Sequence, residues 1–100
     1  MIYRYVITLS ELKRLQKRGA VVLADVRDKK SYEAGHVPGA VSIPYTEEAG
    51  FLECFRKGDL IVLCCDRGNL SMRATVRMRR AGYQAYSLVG GYEGYLRCQK

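Results

Sequence analysis

The stretch Leu60-Ile61-Val62-Leu63-Cys64-Cys65-Asp66-Arg67-Gly68-Asn69-Leu70-Ser71 decides how the chain is read. Leu60 to Leu63 is apolar, too short for a helix by itself and rich in β-branched residues, which marks a buried strand. At Cys65 the texture changes to Asp66, Arg67, Gly68 and Asn69, the residues of a tight polar loop, and Gly68 and Asn69 tolerate left-handed backbone. Ser71 is expected to cap the helical segment that follows. The order is therefore strand, cysteine, loop, helix. A loop wrapped onto a helix N-terminus aims several backbone N–H groups at one point. A thiol at its mouth is held near partial positive charge, which favours the nucleophilic thiolate. The competing reading is a buried structural cysteine, the usual fate of a free thiol.

Outward from this stretch, strands and helices alternate. Ile2 to Ile7 reads as a first strand. Thr8-Leu9-Ser10-Glu11 is a capping box, with Ile7 and Leu12 as the accompanying staple. Its helix should run from Leu9 to about Arg18, with Leu12 and Leu15 inward and Gly19 as the stop. Ala20 to Val26 is a near-continuous apolar strand, the mark of a parallel sheet covered on both faces. Asp28 is placed to cap a short helix, Lys29 to Ala34, that Gly35 ends. His36-Val37-Pro38-Gly39 is a turn, and Ala40 to Ile43 a third strand. Glu47 to Arg56 has Ala49, Leu52 and Phe55 at helical spacing. After Ser71 a helix runs to about Ala81; Arg73, Arg77 and Arg80 share one face, and Ala74, Met78 and Ala81 should meet the sheet. Gln84 to Val89 is a fifth strand. Gly90-Gly91 turns the chain into a last helix where Tyr92, Tyr95 and Leu96 pack. The pattern gives an α/β fold, a five-stranded mainly parallel sheet flanked by helices on both faces, as one domain over residues 1–100. Ligands in such folds sit beyond the carboxyl ends of the strands. Cys65 lies at one such end, Asp25 and Arg27 at another.

Composition narrows the function classes. At 100 residues with 48% hydrophobic and 27% charged residues, the chain has enough apolar material for a core without disulfides. Cys64 and Cys65 point to opposite sides of a strand, no secretory signal is read, and a reducing cytoplasm is the expected compartment. Cysteines at 54, 64, 65 and 98 with the single His36 form no zinc spacing, so no metal and no cofactor are expected. No run approaches a membrane span. The net charge of +7 is the oddity. Without a nucleic-acid motif or aromatic–basic interleaving, it points to a solvated basic surface, a small anion or an acidic protein partner rather than to nucleic acid. Cys64 and Cys54 are expected to be buried core thiols and Cys98 an incidental one.

Three blocks carry a family resemblance. Leu23-Ala24-Asp25-Val26-Arg27 is followed by Tyr32-Glu33-Ala34-Gly35-His36-Val37-Pro38-Gly39-Ala40 and Ser42-Ile43-Pro44. The strand and loop through Cys65, Gly68, Asn69 and Ser71 come next. Ala81-Gly82-Tyr83 with Leu88-Val89-Gly90-Gly91-Tyr92 closes the set. In order and spacing the chain resembles the single-domain rhodanese-like sulfurtransferases. The resemblance implies that Cys65 accepts a sulfane sulfur from thiosulfate or a persulfide and passes it to a thiol or cyanide. It implies a substrate loop of Asp66, Arg67, Gly68, Asn69, Leu70 and Ser71 cradling the persulfide. Asp25, Arg27 and Arg73 are supporting candidates: Asp25 and Arg27 as an ion pair or as bonds to the neighbouring loop, Arg73 either as a guide for an anionic donor or as a solvated side chain. His36 is expected to be structural. A monomer is expected, and the alternative to an enzyme is a sulfur-carrier module that serves one acidic partner protein.

One departure stands out. Family members often carry Arg five positions after the cysteine, where this chain has Leu70, so thiosulfate is expected to be a poor donor unless Arg67 supplies the charge. The phosphatases of this fold need Cys-x5-Arg; the corresponding position is Ser71 counted from Cys65 and Leu70 counted from Cys64, so the oxyanion clamp is absent.

Overall fold

The computed structural model describes residues 4–99. Five strands, β1 (Val6–Ile7), β2 (Val22–Asp25), β3 (Val41–Ser42), β4 (Leu60–Cys64) and β5 (Gln84–Leu88), form one sheet in the order β1-β5-β4-β2-β3. Every neighbouring pair is parallel. The helices are α1 (Leu9–Lys17), α2 (Lys29–Ala34), α3 (Ala49–Glu53), α4 (Asn69–Arg80) and α5 (Gly91–Arg97). The expected first strand is observed at Val6–Ile7, and Ile2 and Tyr3 lie outside the described residues.

The period-two alternation of β4 divides the core into two layers. Ile61, Leu63 and Cys65 cluster with Phe51, Phe55, Ala74 and Met78. Val62 and Cys64 cluster instead with Leu12, Leu23, Val37 and Leu88, and Tyr32, Tyr92 and Tyr95 pack against them. So α3 and α4 cover one face and α1, α2 and α5 the other. β2 and β4 are neighbours, yet the helices they feed, α2 and α4, lie on opposite faces. Such a switch point leaves a crevice beyond the strand ends. It is the place where the chain after Cys64 emerges.

Local chemistry explains most element ends. The Thr8 hydroxyl accepts the Glu11 N–H at 3.1 Å, and the Thr8 N–H donates to the Glu11 carboxylate at 2.9 Å, the reciprocal capping box. The Asp28 carboxylate accepts the Ser31 N–H at 2.7 Å and caps α2. Both bonds hold the carboxyl groups below the usual range, Glu11 down to about 2 through the Thr8 N–H first and Arg4 second, and Asp28 in the same direction through Ser31.

Several expectations are corrected. Ser71 is not the cap of α4. Gly68 is, with φ at 120°, and Ser71 sits one turn inside with its hydroxyl donating back to the Gly68 carbonyl at 3.2 Å. The helix spanning Glu47 to Arg56 shrinks to five residues: Gly50 weakens it, and Glu48 makes no side-chain cap. Its buried residue is Phe51, not Ala49: the Phe51 ring packs edge to face at 5.3 Å on that of Phe55, beyond the helix end, and buries more apolar area. Cys54 ends that helix exposed, and Leu96 on α5 is also exposed. The arginines of α4 differ in their surroundings. Arg77 reaches the Thr46, Glu47 and Glu48 carbonyls at 2.7–3.1 Å. Arg79, between the Tyr5 and Tyr86 rings, donates to the Ala85 and Arg4 carbonyls.

Candidate active site

Cys65 is the first residue past β4 and is 4% exposed. It lies on the floor of an open cleft of about 480 Å³ lined by Arg27, Asp28, Ser31, Cys65, Asp66, Arg67, Asn69, Leu70 and Glu93. The sulfur receives two backbone donors, the Gly68 N–H at 3.2 Å and the Ser71 N–H at 3.3 Å. A third group, the Ser71 hydroxyl, is 3.4 Å away. The first intrahelical bond of α4 runs from the Met72 N–H to the Gly68 carbonyl. The Asn69 and Leu70 amides therefore belong to the first turn, whose N–H groups have no intrahelical acceptors. A loop that brings amides and a helix N-terminus to one sulfur can stabilise negative charge on it or on an atom bonded to it.

The loop is held from two sides. From the β2 end, Arg27 donates to both oxygens of Asp25 (3.0 and 3.2 Å from Nε, 2.7 Å from Nη2), to Asp66 at 3.3 Å and to the Gly35 carbonyl at 2.7 Å. Asp25 is fully buried and Arg27 is 7% exposed. The Asp25 hydrogen bonds push the Arg27 guanidinium further toward its charged form. The Tyr92 ring lies 4.7 Å below the same guanidinium. From the α5 end, the Tyr92 N–H donates to the Cys65 carbonyl at 2.8 Å, and the Glu93 N–H to that of Asp66 at 3.0 Å. Gly91, with φ at +57°, makes this approach: a Cβ there would lie 2.6 Å from the Asp66 carbonyl oxygen and nearer still to that of Cys65.

The structure brings together Cys65, the loop residues, Asp25 and Arg27. It does not bring Arg73, which points to Glu47 at 3.7 Å and does not line the cleft. Arg67 lines the cleft, but its Nε donates to Glu93 at 3.1 Å. Leu70 lines it too and packs against the aromatic core layer. Cys64 faces the opposite layer, and burial raises its thiol to about 12, which keeps it neutral. His36 stacks on Tyr32 at 3.8 Å, with Nδ1 2.9 Å from the Tyr32 carbonyl, outside the cleft. Cys98 is exposed at the end of α5.

Sequence reasoning missed Glu93, Ser31 and Ser87. Ser87 is 2% exposed on β5 with its hydroxyl 2.7 Å from that of Ser71. Its signal was a serine between Tyr86 and Leu88 in the second half of β5, where the strand is buried at Ser87 and Leu88. Glu93 sits on a seven-residue helix whose orientation no local pattern encodes. Among the described residues no group of three or more His, Cys, Asp or Glu is placed to hold a metal ion, and no helix is long and apolar enough to cross a membrane.

A family model for the rhodanese-like domain matches residues 8–98. The human single-domain sulfurtransferase TSTD1 is 29% identical, with 98% of this chain and 100% of that one superposed at a TM-score of 0.79. A rhodanese-like domain protein from Staphylococcus aureus is 26% identical over 90% of this chain and 89% of its own, with a TM-score of 0.80. A rhodanese-related protein from Thermoplasma volcanium, at 21% identity, shares the fold over 97% of this chain and 94% of its own, with a TM-score of 0.82.

Proposed function

Because the chain belongs to the rhodanese-like domain family, we propose that it is a sulfurtransferase that carries sulfane sulfur as a persulfide on Cys65. One observation carries this reading above the rest: the Cys65 sulfur accepts the Gly68 and Ser71 N–H groups at the floor of an open cleft. The Cys65 thiolate attacks the outer sulfur of the donor. The donor's sulfur–sulfur bond breaks, its electron pair leaves with sulfite or with a thiolate, and a new sulfur–sulfur bond forms on Cys65. The acceptor, cyanide or a thiolate, then attacks the outer sulfur and regenerates the Cys65 thiolate. The loop amides lower the energy of the anion at both stages.

The donor that suits this cleft is a thiol persulfide rather than thiosulfate. Leu70 stands at the cationic position of the family loop, and both arginines that line the cleft are engaged: Arg67 by Glu93, Arg27 by Asp25 and Asp66. A dianion gains little from cations whose charge is already matched. The same observation favours a second reading, a carrier that hands persulfide to one protein partner with little turnover on small molecules.

Intact mass of the reduced protein tests the proposal. Incubation with a low-molecular-weight persulfide should add one sulfur that cyanide removes, and Cys65→Ser should add none. A wild type that gains no sulfur from thiosulfate or from the persulfide ends the enzyme reading. Uptake from the persulfide with slow release to cyanide and fast release to a protein thiol selects the carrier.

A further inference from the structure

Three groups meet at the Ser71 hydroxyl, one of them the reactive sulfur, and the protons among them can be counted. The Ser71 hydroxyl has three neighbours: the Gly68 carbonyl at 3.2 Å, the Ser87 hydroxyl at 2.7 Å and the Cys65 sulfur at 3.4 Å. It has one proton to give and two lone pairs to accept with. Ser87 is 2% exposed, and among the described residues the one partner of its hydroxyl is Ser71. If Ser71 donated to Ser87, the Ser87 proton would be buried without an acceptor, which is the unfavourable arrangement. Ser87 is therefore the donor.

That assignment frees the Ser71 proton for one of two acceptors. When Cys65 is a thiol, its S–H donates to Ser71, and Ser71 donates to the Gly68 carbonyl, so every group is satisfied. When Cys65 is a thiolate, the Ser71 hydroxyl turns to the sulfur. The Gly68 carbonyl tolerates the loss because it still accepts the Met72 N–H at 3.0 Å. The thiolate then holds three donors: the Gly68 N–H, the Ser71 N–H and the Ser71 O–H.

We propose that Ser87 is a positioning residue of the reaction: its buried hydroxyl donates to Ser71 and so leaves the Ser71 proton free to follow the charge on Cys65. In Ser87→Ala the Ser71 oxygen loses its fixed donor and the strand side of the network is gone. The sulfur then meets a less oriented hydroxyl, and the thiolate is less favoured. As charge moves from Sγ to the outer sulfur of the persulfide, the same hydroxyl is free to return to the Gly68 carbonyl. The stabilisation thus acts on the attacking thiolate.

This inference rests on Cys65 being the nucleophile, but its readout is thiol ionisation and not sulfur transfer. The probe is the pH profile of iodoacetamide alkylation at Cys65, read by mass in a Cys54→Ser, Cys98→Ser background. Ser87→Ala should move the midpoint up by about half to one pH unit, the size of one hydrogen bond. Ser87→Thr, which restores the donor, should return it toward the parent, while its near-isostere Ser87→Val should not. Asp25, Arg27, Asp28, Asp66, Arg67 and Glu93 surround the site and are the same in all variants, so a shift reports the hydroxyl. An unmoved midpoint in Ser87→Ala, or equal midpoints in the Thr and Val variants, overturns the proposal. Should the alanine variant not fold, the Thr–Val pair decides alone. A protein that titrates as expected yet takes up no sulfur leaves this inference standing and removes the functional one.

Discussion

Two residues of the cysteine site, Gly91 behind the loop and Leu70 on the cleft wall, carry opposite lessons about single positions. Gly91 is fixed by geometry: φ is +57°, and the carbonyls of Cys65 and Asp66 occupy the space a Cβ needs. Gly19 has a similar φ, +65°, with nothing within 4 Å. Gly19→Ala should therefore lose only the conformational part, about 1 kcal/mol. Gly91→Ala should lose about 2–4 kcal/mol and, with the loop displaced, its sulfur uptake as well. Chemical denaturation of the two variants, with persulfide formation alongside, checks this; equal losses would show that the carbonyl approach is unimportant. Leu70 has no such constraint on its backbone. Leu70→Arg places an unmatched cation at the cleft and should raise thiosulfate kcat/KM by about tenfold, the effect of one charge-assisted contact. Glu93→Gln, which releases Arg67, should act in the same direction by a smaller factor because that ion pair is largely exposed. If neither variant gains on thiosulfate, the donor preference has another origin.

At the scale of elements, the ends held by local side chains are the ones the sequence announces. Thr8 and Glu11, three positions apart, define the start of α1, and Asp28 defines α2. The sign of the Glu11 contribution follows from its carboxyl being held down to about 2 from an ordinary 4.5. Below about pH 4.5 the unfolded chain binds the proton first, so this stabilisation is whole above that pH and drains away as the pH falls toward 2. Glu11→Gln should flatten the decline of stability between pH 4.5 and 2, measured by urea midpoints across the range. A decline identical to the parent's would place the acid sensitivity elsewhere, Asp28 being the next group. What was not legible depended on contacts distant in sequence. The short α3 buries Phe51 alone, whose ring packs on those of Tyr45 before the helix and Phe55 after it. Ser71 was misread because Gly68 turns the chain three residues early, and a hydroxyl inside a first turn looks, in sequence, like a cap. The central strands were plain because β4 is apolar on both sides, and the cysteine loop because Asp66, Arg67, Gly68 and Asn69 follow the cysteine at once. The pairings that complete the site, Arg27 with Asp66 and Arg67 with Glu93, span 39 and 26 residues, beyond any local pattern.

For the molecule as a whole, the distribution of charge matters more than its sum. The chain carries +7, but the cleft is lined by two arginines against three carboxylates, Asp28, Asp66 and Glu93. The excess positive charge sits elsewhere: Lys13, Arg14, Lys17 and Arg18 are exposed on and just after α1, Arg56 and Lys57 after α3, and Arg73 and Arg80 on α4. A field of this kind does little for a small donor once it is inside a charge-balanced cleft. It does act on the approach of a large acidic body, whose charges meet those outer faces over distances comparable with the screening length. Sulfur transfer from a cysteine persulfide carried on a peptide rich in Asp and Glu should therefore slow by about tenfold between 0.05 and 0.5 M salt, through the second-order rate constant. Transfer from the same persulfide on a neutral peptide should change by less than about twofold. Stopped-flow rates on the two peptides across the salt range separate the cases. Parallel salt curves would mean that the basic faces only keep the protein soluble, and the search for a physiological donor would then turn to small thiols.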